Sequence, residues 1–226
     1  MVKFKKIQGA AFILEQRAIN TVAVFAAMDK ETDYFLSKIE NPQQDGDAVK
    51  GKLFGKDFYF VKTGIGSLNG AFSAAKFLSM HKVDLVINIG CVGSHFKSAG
   101  YGDMIAVKAF LGQGDFLSDS LDSISTDEGL TEKLIRCFEK GIFVGDIASG
   151  DVWRGKDAIP AFAEQYGTLG EDMEGFSIAF CAEKLNVPLV AVKFVSNNEL
   201  TEKSYLCDFF PDCQATIYKA LEKFFA

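Results

Sequence analysis

Histidine is nearly absent from this 226-residue chain: His81 and His95 are the only two. A zinc site needs histidine and cysteine at ligand spacing, and neither histidine supplies it, so no metal is expected. The five cysteines (Cys91, Cys137, Cys181, Cys207 and Cys213) are odd in number and scattered, without a C-x-x-C pair. That pattern fits a reducing cytosol, and a cytoplasmic location is expected. No Lys/Arg-rich run occurs and the net charge is -6. Both argue against a nucleic-acid surface, because neutralising phosphates needs clustered cations. Apolar runs are short as well. Residues 83–90 and 187–195 are interrupted by Asp, Asn or Lys and fall short of a bilayer span, so no membrane segment is expected.

What remains is material for a folded core. With 48% hydrophobic residues and four prolines, the chain can bury a large interior within one domain. Residues 1–20 carry Lys3, Lys5 and Lys6 and then a short apolar stretch, but Glu15 and Arg17 follow without a cleavage site. They read as an N-terminal extension to a single domain over 21–226. Runs rich in Val, Ile and Phe alternate with stretches of helical period, the signature of a parallel or mixed sheet covered by helices. Strands are expected at 21–27, 49–53, 57–63, 84–90, 104–110, 143–149 and 188–195. Helices are expected at 30–39, 69–81, 131–140, 159–165, 175–185 and 213–225. Segment 112–129 reads as a loop.

Acids gather at two strand-to-helix junctions. Glu171-Asp172-Met173-Glu174-Gly175 opens one helix, and Ala26-Ala27-Met28-Asp29-Lys30-Glu31 closes a strand. Unpaired backbone N–H groups at a helix start favour carboxylates on structural grounds alone. The functional alternative is a shared cleft, since strand carboxyl ends line the crevice of open α/β sheets. Thr63-Gly64-Ile65-Gly66-Ser67-Leu68-Asn69-Gly70 is either a tight turn or a phosphate cradle, although its spacing is not G-x-G-x-x-G. Asn88-Ile89-Gly90-Cys91-Val92-Gly93-Ser94 ends another strand, and Cys91 has no local histidine to activate it. Ser149-Gly150-Asp151-Val152-Trp153 holds the chain's only tryptophan, which either packs or stacks on a flat heterocycle. Lys193-Phe194-Val195-Ser196-Asn197-Asn198 closes the last strong strand with hydrogen-bonding groups.

In this order, Ala27-Met28-Asp29-Lys30-Glu31, Leu36-Ser37-Lys38-Ile39-Glu40-Asn41, Gly64-Ile65-Gly66, Asn88-Ile89-Gly90, Gly102-Asp103, Ser149-Gly150-Asp151 and Met173-Glu174 resemble the purine nucleoside phosphorylase and nucleosidase superfamily. The likeness is strongest to bacterial 5'-methylthioadenosine/S-adenosylhomocysteine nucleosidases. It implies an α/β fold: a three-layer α/β/α sandwich with a central mixed sheet, without a cofactor and commonly a homodimer. It also implies hydrolysis of the N-glycosidic bond of a purine nucleoside. On this resemblance Glu31 activates water, Glu174 holds the ribose hydroxyls over Met173, and Trp153 stacks on the purine. Glu31, Glu174 and Asn197 are then the catalytic candidates. Met173, Trp153, Arg154, Cys91, Ser196, Lys193 and Asp172 form the substrate-binding set.

The departures from the family pattern carry information of their own. Asn197 falls where the nucleosidases keep an Asp that protonates purine N7, and an amide cannot give that proton. It can donate a hydrogen bond to N7 and O6 of a 6-oxopurine, whose leaving anion spreads charge onto O6. Asn here also resembles 6-oxopurine-selective phosphorylases and futalosine hydrolases. Lys193 replaces an Arg, Cys91 a Ser and Asp172 a Glu, and residues 111–115 replace a His-Asp-Ala-Asp-type segment. The phosphorylases' phosphate-binding arginines have no counterpart in 21–31 or 85–93, so water is favoured over phosphate as nucleophile. Three readings stand: a nucleosidase for 5'-substituted adenine nucleosides, one for 6-oxopurine nucleosides of futalosine or inosine type, and a nucleoside-binding protein with weak or lost catalysis.

Overall fold

The structure, a computed structural model, describes residues 18–112 and 121–226. Most of the extension at 1–20, and positions 113–115 of the replaced segment, lie outside the described residues. The first half of the chain holds β1 (Thr21–Ala26), a 3-10 turn (Asp29–Glu31), α1 (Asp33–Leu36), β2 (Glu40–Asp45), β3 (Ala48–Leu53), β4 (Lys56–Lys62), α2 (Ser67–Met80) and β5 (Leu85–Ser94). The second half holds β6 (Met104–Gly112), β7 (Asp122–Ser125), α3 (Glu128–Cys137), β8 (Phe143–Ser149), α4 (Ile159–Tyr166) and β9 (Thr168–Asp172). It ends with α5 (Gly175–Lys184), β10 (Leu189–Asn197), a 3-10 turn (Glu199–Thr201) and α6 (Phe210–Phe225).

These ten strands form one mixed sheet. β1 is buried on both faces because its side chains alternate between two cores. Ala23 and Phe25 join α2 and α5 through Ala74, Phe77, Ile178 and Ala182. Val22 and Val24 join α1, α3 and α6 through Phe35, Leu134, Ile217 and Leu221. Helices on both faces of the sheet make the three-layer α/β/α sandwich that the resemblance implied.

The two halves of the sheet close differently. Strands β2, β3, β4 and β1 fan out to an open edge, whereas β5, β10, β6, β8 and β9 pair in a ring. The ring shuts where β9 meets the far end of β5, with Gly93 opposite Glu171 and Ser94 opposite Gly170. β5 serves both halves: its start pairs with β1 from Val22↔Leu85 onward, and its end pairs with β9.

Three local expectations change. The helix expected at 30–39 is a 3-10 turn followed by the one-turn α1, because Glu31 bends back onto the backbone N–H groups of Ala27 and Met28. Glu40–Asp45 is a strand, β2, paired antiparallel with β3. It is almost wholly exposed, so no apolar alternation marks it. Within the segment read as loop, β7 pairs with β6 through Ala109↔Ser125 to Gly112↔Asp122, and α3 starts at Glu128, where Asp127 accepts the Leu130 N–H at 2.8 Å.

Candidate active site

β1, β5 and β10 run parallel side by side, so their carboxyl ends meet at one side of the sheet, where α/β sheets bind ligands. The β9–α5 junction crosses the same place, and a cavity of about 330 Å³ opens between them. Of the ten site residues expected from sequence, eight line it: Glu31, Cys91, Trp153, Asp172, Met173, Glu174, Ser196 and Asn197. Arg154 and Lys193 do not.

Glu31 is 2% exposed. One oxygen, Oε2, accepts the N–H groups of Ala27 at 2.9 Å and Met28 at 3.0 Å, and Oε1 accepts that of Cys91 at 2.9 Å. Backbone from two strand ends therefore aims this carboxylate, independent of any neighbouring side chain. Cys91 lies beside it. Burial first, and the Glu31 charge second, push its thiol well above the ordinary range, which makes it a poor nucleophile.

Glu174, at the start of α5, reaches across to α2 and accepts the Gly66 N–H at 2.7 Å. Gly66 has φ +100°, a conformation that favours glycine. Asp151 likewise accepts the Ser67 N–H at 2.8 Å and the Ser67 hydroxyl. The two carboxylates occupy the first N–H groups of α2, so the glycine turn at 63–70 is a helix start bound by acids rather than a phosphate cradle. Burial, and then the charge of Asp172, raise Glu174 to about 7.

Asp172 Oδ1 accepts the Gly175 N–H at 3.1 Å, the structural role that acids play at a helix start. Its other oxygen lies 2.7 Å from Lys193 Nζ, with both side chains 2% exposed. Burial works against the Lys193 charge, yet Asp172, with Glu174 and Glu31 beyond, more than offsets it and holds that pKa above its ordinary value. Lys193 is thus an ion-pair partner sealed behind the cavity wall.

Asn197 closes the opposite end. Its Oδ1 is 3.1 Å from the Ser196 hydroxyl, and its Nδ2 is 3.4 Å from Glu199 Oε1. Trp153 stands at the mouth, 61% exposed, near Val152 and Ile65. Arg154 turns away: its Nη1 meets Glu171 Oε2 at 2.7 Å, and its guanidinium stacks 3.7 Å above the Phe162 ring.

Sequence reading missed Glu171, Lys30 and Tyr205 as wall residues. Glu171 belonged to the acid cluster already noted, and Lys30 adjoins Glu31. Tyr205 lies beyond the last strand, in a stretch without periodicity, and pairs with Lys30, whose Nζ sits 4.7 Å over its ring.

A family model described as the phosphorylase superfamily matches residues 21–226. The 5'-methylthioadenosine/S-adenosylhomocysteine nucleosidase of Bacillus thuringiensis (strain Al Hakam) is 27% identical over 217 residues, covering 87% of this chain and 94% of the relative. Among solved structures, the nucleosidase of the same name from Neisseria meningitidis, in complex with methylthio-immucillin-A, superposes with a TM-score of 0.79. It is 24% identical and covers 91% of this chain and 98% of that one. A futalosine hydrolase mutant of Helicobacter pylori also gives 0.79, at 21% identity, with the same coverage of 91% and 98%. Both have this fold, and the family model's match over residues 21–226 shows that the chain belongs to the phosphorylase superfamily.

Proposed function

We propose that residues 21–226 form a nucleosidase domain that hydrolyses the N-glycosidic bond of a purine nucleoside. The charge of the cavity carries this reading. Its wall presents Glu31, Asp172, Glu174 and Glu171, and Lys30 is the one cation lining it among the described residues. A phosphate dianion would sit among carboxylates there, whereas water needs only a base. The same carboxylates stabilise the oxocarbenium-like sugar that glycosidic cleavage passes through. In the proposed step the water oxygen bonds to C1' as Glu31 takes its proton. The C1'–N9 electron pair leaves with the purine, which takes up a proton from solvent. Glu174 and Met173 hold the ribose, Trp153 stacks on the base, and Asn197 donates a hydrogen bond to the base edge.

The curated relatives' names support a 5'-substituted adenine nucleoside of the methylthioadenosine or adenosylhomocysteine type. Asn197 supports a second reading, a 6-oxopurine nucleoside, because its amide donates but cannot protonate. Exposed Leu68, Phe72 and Phe180 on the neighbouring α2 and α5 support a homodimer. Among the described residues no helix is long and apolar enough to cross a membrane, and the free cysteines fit a cytoplasmic location. The test is release of free base from methylthioadenosine, adenosine, inosine and futalosine, each with and without phosphate. Release that ignores phosphate is expected. Strict phosphate dependence would replace hydrolysis by phosphorolysis, and binding without turnover would leave a nucleoside-binding protein.

A further inference from the structure

We propose that Lys30 and Tyr205 form an anion site in the cavity wall, one that takes a carboxylate on the 5' substituent of the nucleoside. The inference rests on the nucleosidase reading for where the sugar lies. The charges of the wall are unevenly answered. Each of its four acids has a donor within the protein: Glu31 three backbone N–H groups, Glu171 the Arg154 side chain and N–H, Asp172 Lys193 and Glu174 the Gly66 N–H. Lys30 is the one cation lining the cavity, and it enters no ion pair among the described residues. Its sequence neighbours are engaged elsewhere, since Asp29 pairs with Lys62 at 2.9 Å and Glu31 faces the backbone. A charged donor at a cavity wall without a counter-ion is a place for one on the ligand.

The pair is held in place from several sides. The Lys30 carbonyl accepts the Gln214 Nε2 N–H at 2.9 Å, from a fully buried side chain of α6. Its Nζ sits 4.7 Å from the centre of the Tyr205 ring and 5.6 Å from that of Phe210. Ring faces attract an ammonium without neutralising it. Tyr205 also lines the cavity, on the segment that follows β10. That segment is tied down by the Leu206 N–H on the Ser196 carbonyl at 3.0 Å and by the Tyr101 hydroxyl on the Ser204 carbonyl at 2.7 Å. The Tyr205 hydroxyl outweighs burial and holds the Lys30 pKa above its ordinary value, while burial lifts that of Tyr205. At neutral pH the ammonium and the hydroxyl are both protonated donors.

The 5' substituent reaches them by elimination. On the proposed reading C1' faces Glu31, the ribose hydroxyls face Glu174, and the base faces Trp153 and Asn197, which leaves the group on C5' as the part of the ligand without a partner. Lys30 adjoins Glu31 in the chain and so stands at the sugar. One ammonium in a wall of four carboxylates balances a single negative charge, so a carboxylate fits and the dianion of a phosphate ester does not.

The probes are 5'-carboxymethylthio-5'-deoxyinosine, its adenosine counterpart and the methyl ester of each, which differ from the acids in charge at one end. Affinity is read by calorimetry in Glu31→Gln, where hydrolysis is slowed, and kcat/KM by release of base from the unaltered protein. Each acid is expected to bind about tenfold tighter than its ester, the lower end for a hydrogen bond to a charged group because the site is open to solvent. The ratio is expected to shrink as salt is raised, to vanish in Lys30→Met and to survive in Lys30→Arg. Tyr205→Phe, which keeps the ring and loses the hydroxyl, is expected to lower it about threefold. Equal binding of acid and ester, no binding of either, or a ratio unchanged in Lys30→Met would overturn the proposal, and inosine 5'-monophosphate binding tighter than the carboxylates would overturn its choice of a single charge. Acid-selective binding with no base released would uphold the anion site and remove the nucleosidase reading, whereas base released equally from acid and ester would do the reverse.

Discussion

At the proposed sugar end of the cavity Glu31 is clasped by three backbone N–H groups, and Lys193 is sealed behind Asp172. At the proposed base end Trp153 stands 61% exposed, Asn197 is held by a neighbouring side chain, and Glu171 is held by the Arg154 guanidinium as well as its backbone N–H. Backbone donors at strand ends survive substitution of their neighbours, so they preserve a reaction. Side-chain partners do not, so on the proposed reading replacements there are expected to change which base is accepted while the surroundings of Glu31 stay as they are.

The largest effect that this contrast predicts comes from Glu31→Gln. Removing the base is expected to lower kcat by about 10² to 10⁴ with little change in KM, measured by steady-state release of free base. A loss below tenfold would mean that the clasped carboxylate is not the base. Next is Lys193→Met, which leaves Asp172 buried without its partner. Breaking such a pair costs about 3–5 kcal/mol, to be read from the denaturant midpoint. The double variant Lys193→Met/Asp172→Asn is expected to recover much of the loss.

A subtler change tests the electrostatics around the ribose. Glu174 is raised to about 7 and acts ionised, so kcat/KM is expected to climb as pH rises through about 7 and to fall below it. After burial, Asp172 is the main cause of the rise, so Asp172→Asn is expected to move this limb to lower pH. A limb that stays in place would remove Asp172 from the ribose clamp. The smallest change falls at the open mouth: Trp153→Ala is expected to raise KM up to about tenfold at similar kcat, the scale of one aromatic stacking contact. A large fall in kcat instead would erase the division between the two ends.

Legibility in the sequence follows the same physics. β5 and β10 were readable because burial on both faces makes a continuous apolar run. β2 was not, since Glu40–Asp45 lies on an open edge and buries nothing. Closure of the ring depends on two residue pairs between β9 and β5, a long-range pairing that no local pattern encodes. In the site, Glu31 and Glu174 stood out as acids at strand-to-helix junctions. Lys193 and Arg154 also stood out, but their partners, Asp172 and Glu171, are set by distances across the fold. Glu171 was seen as one acid of a cluster, and only its pairing opposite Gly93 distinguishes it from its neighbours.

The central claim is that water, activated at Glu31, is the nucleophile. Its most direct test is turnover in ¹⁸O-labelled water with phosphate present, followed by mass analysis of the sugar product. The account predicts a free sugar carrying the heavy oxygen at C1'. A sugar 1-phosphate without the label would contradict it.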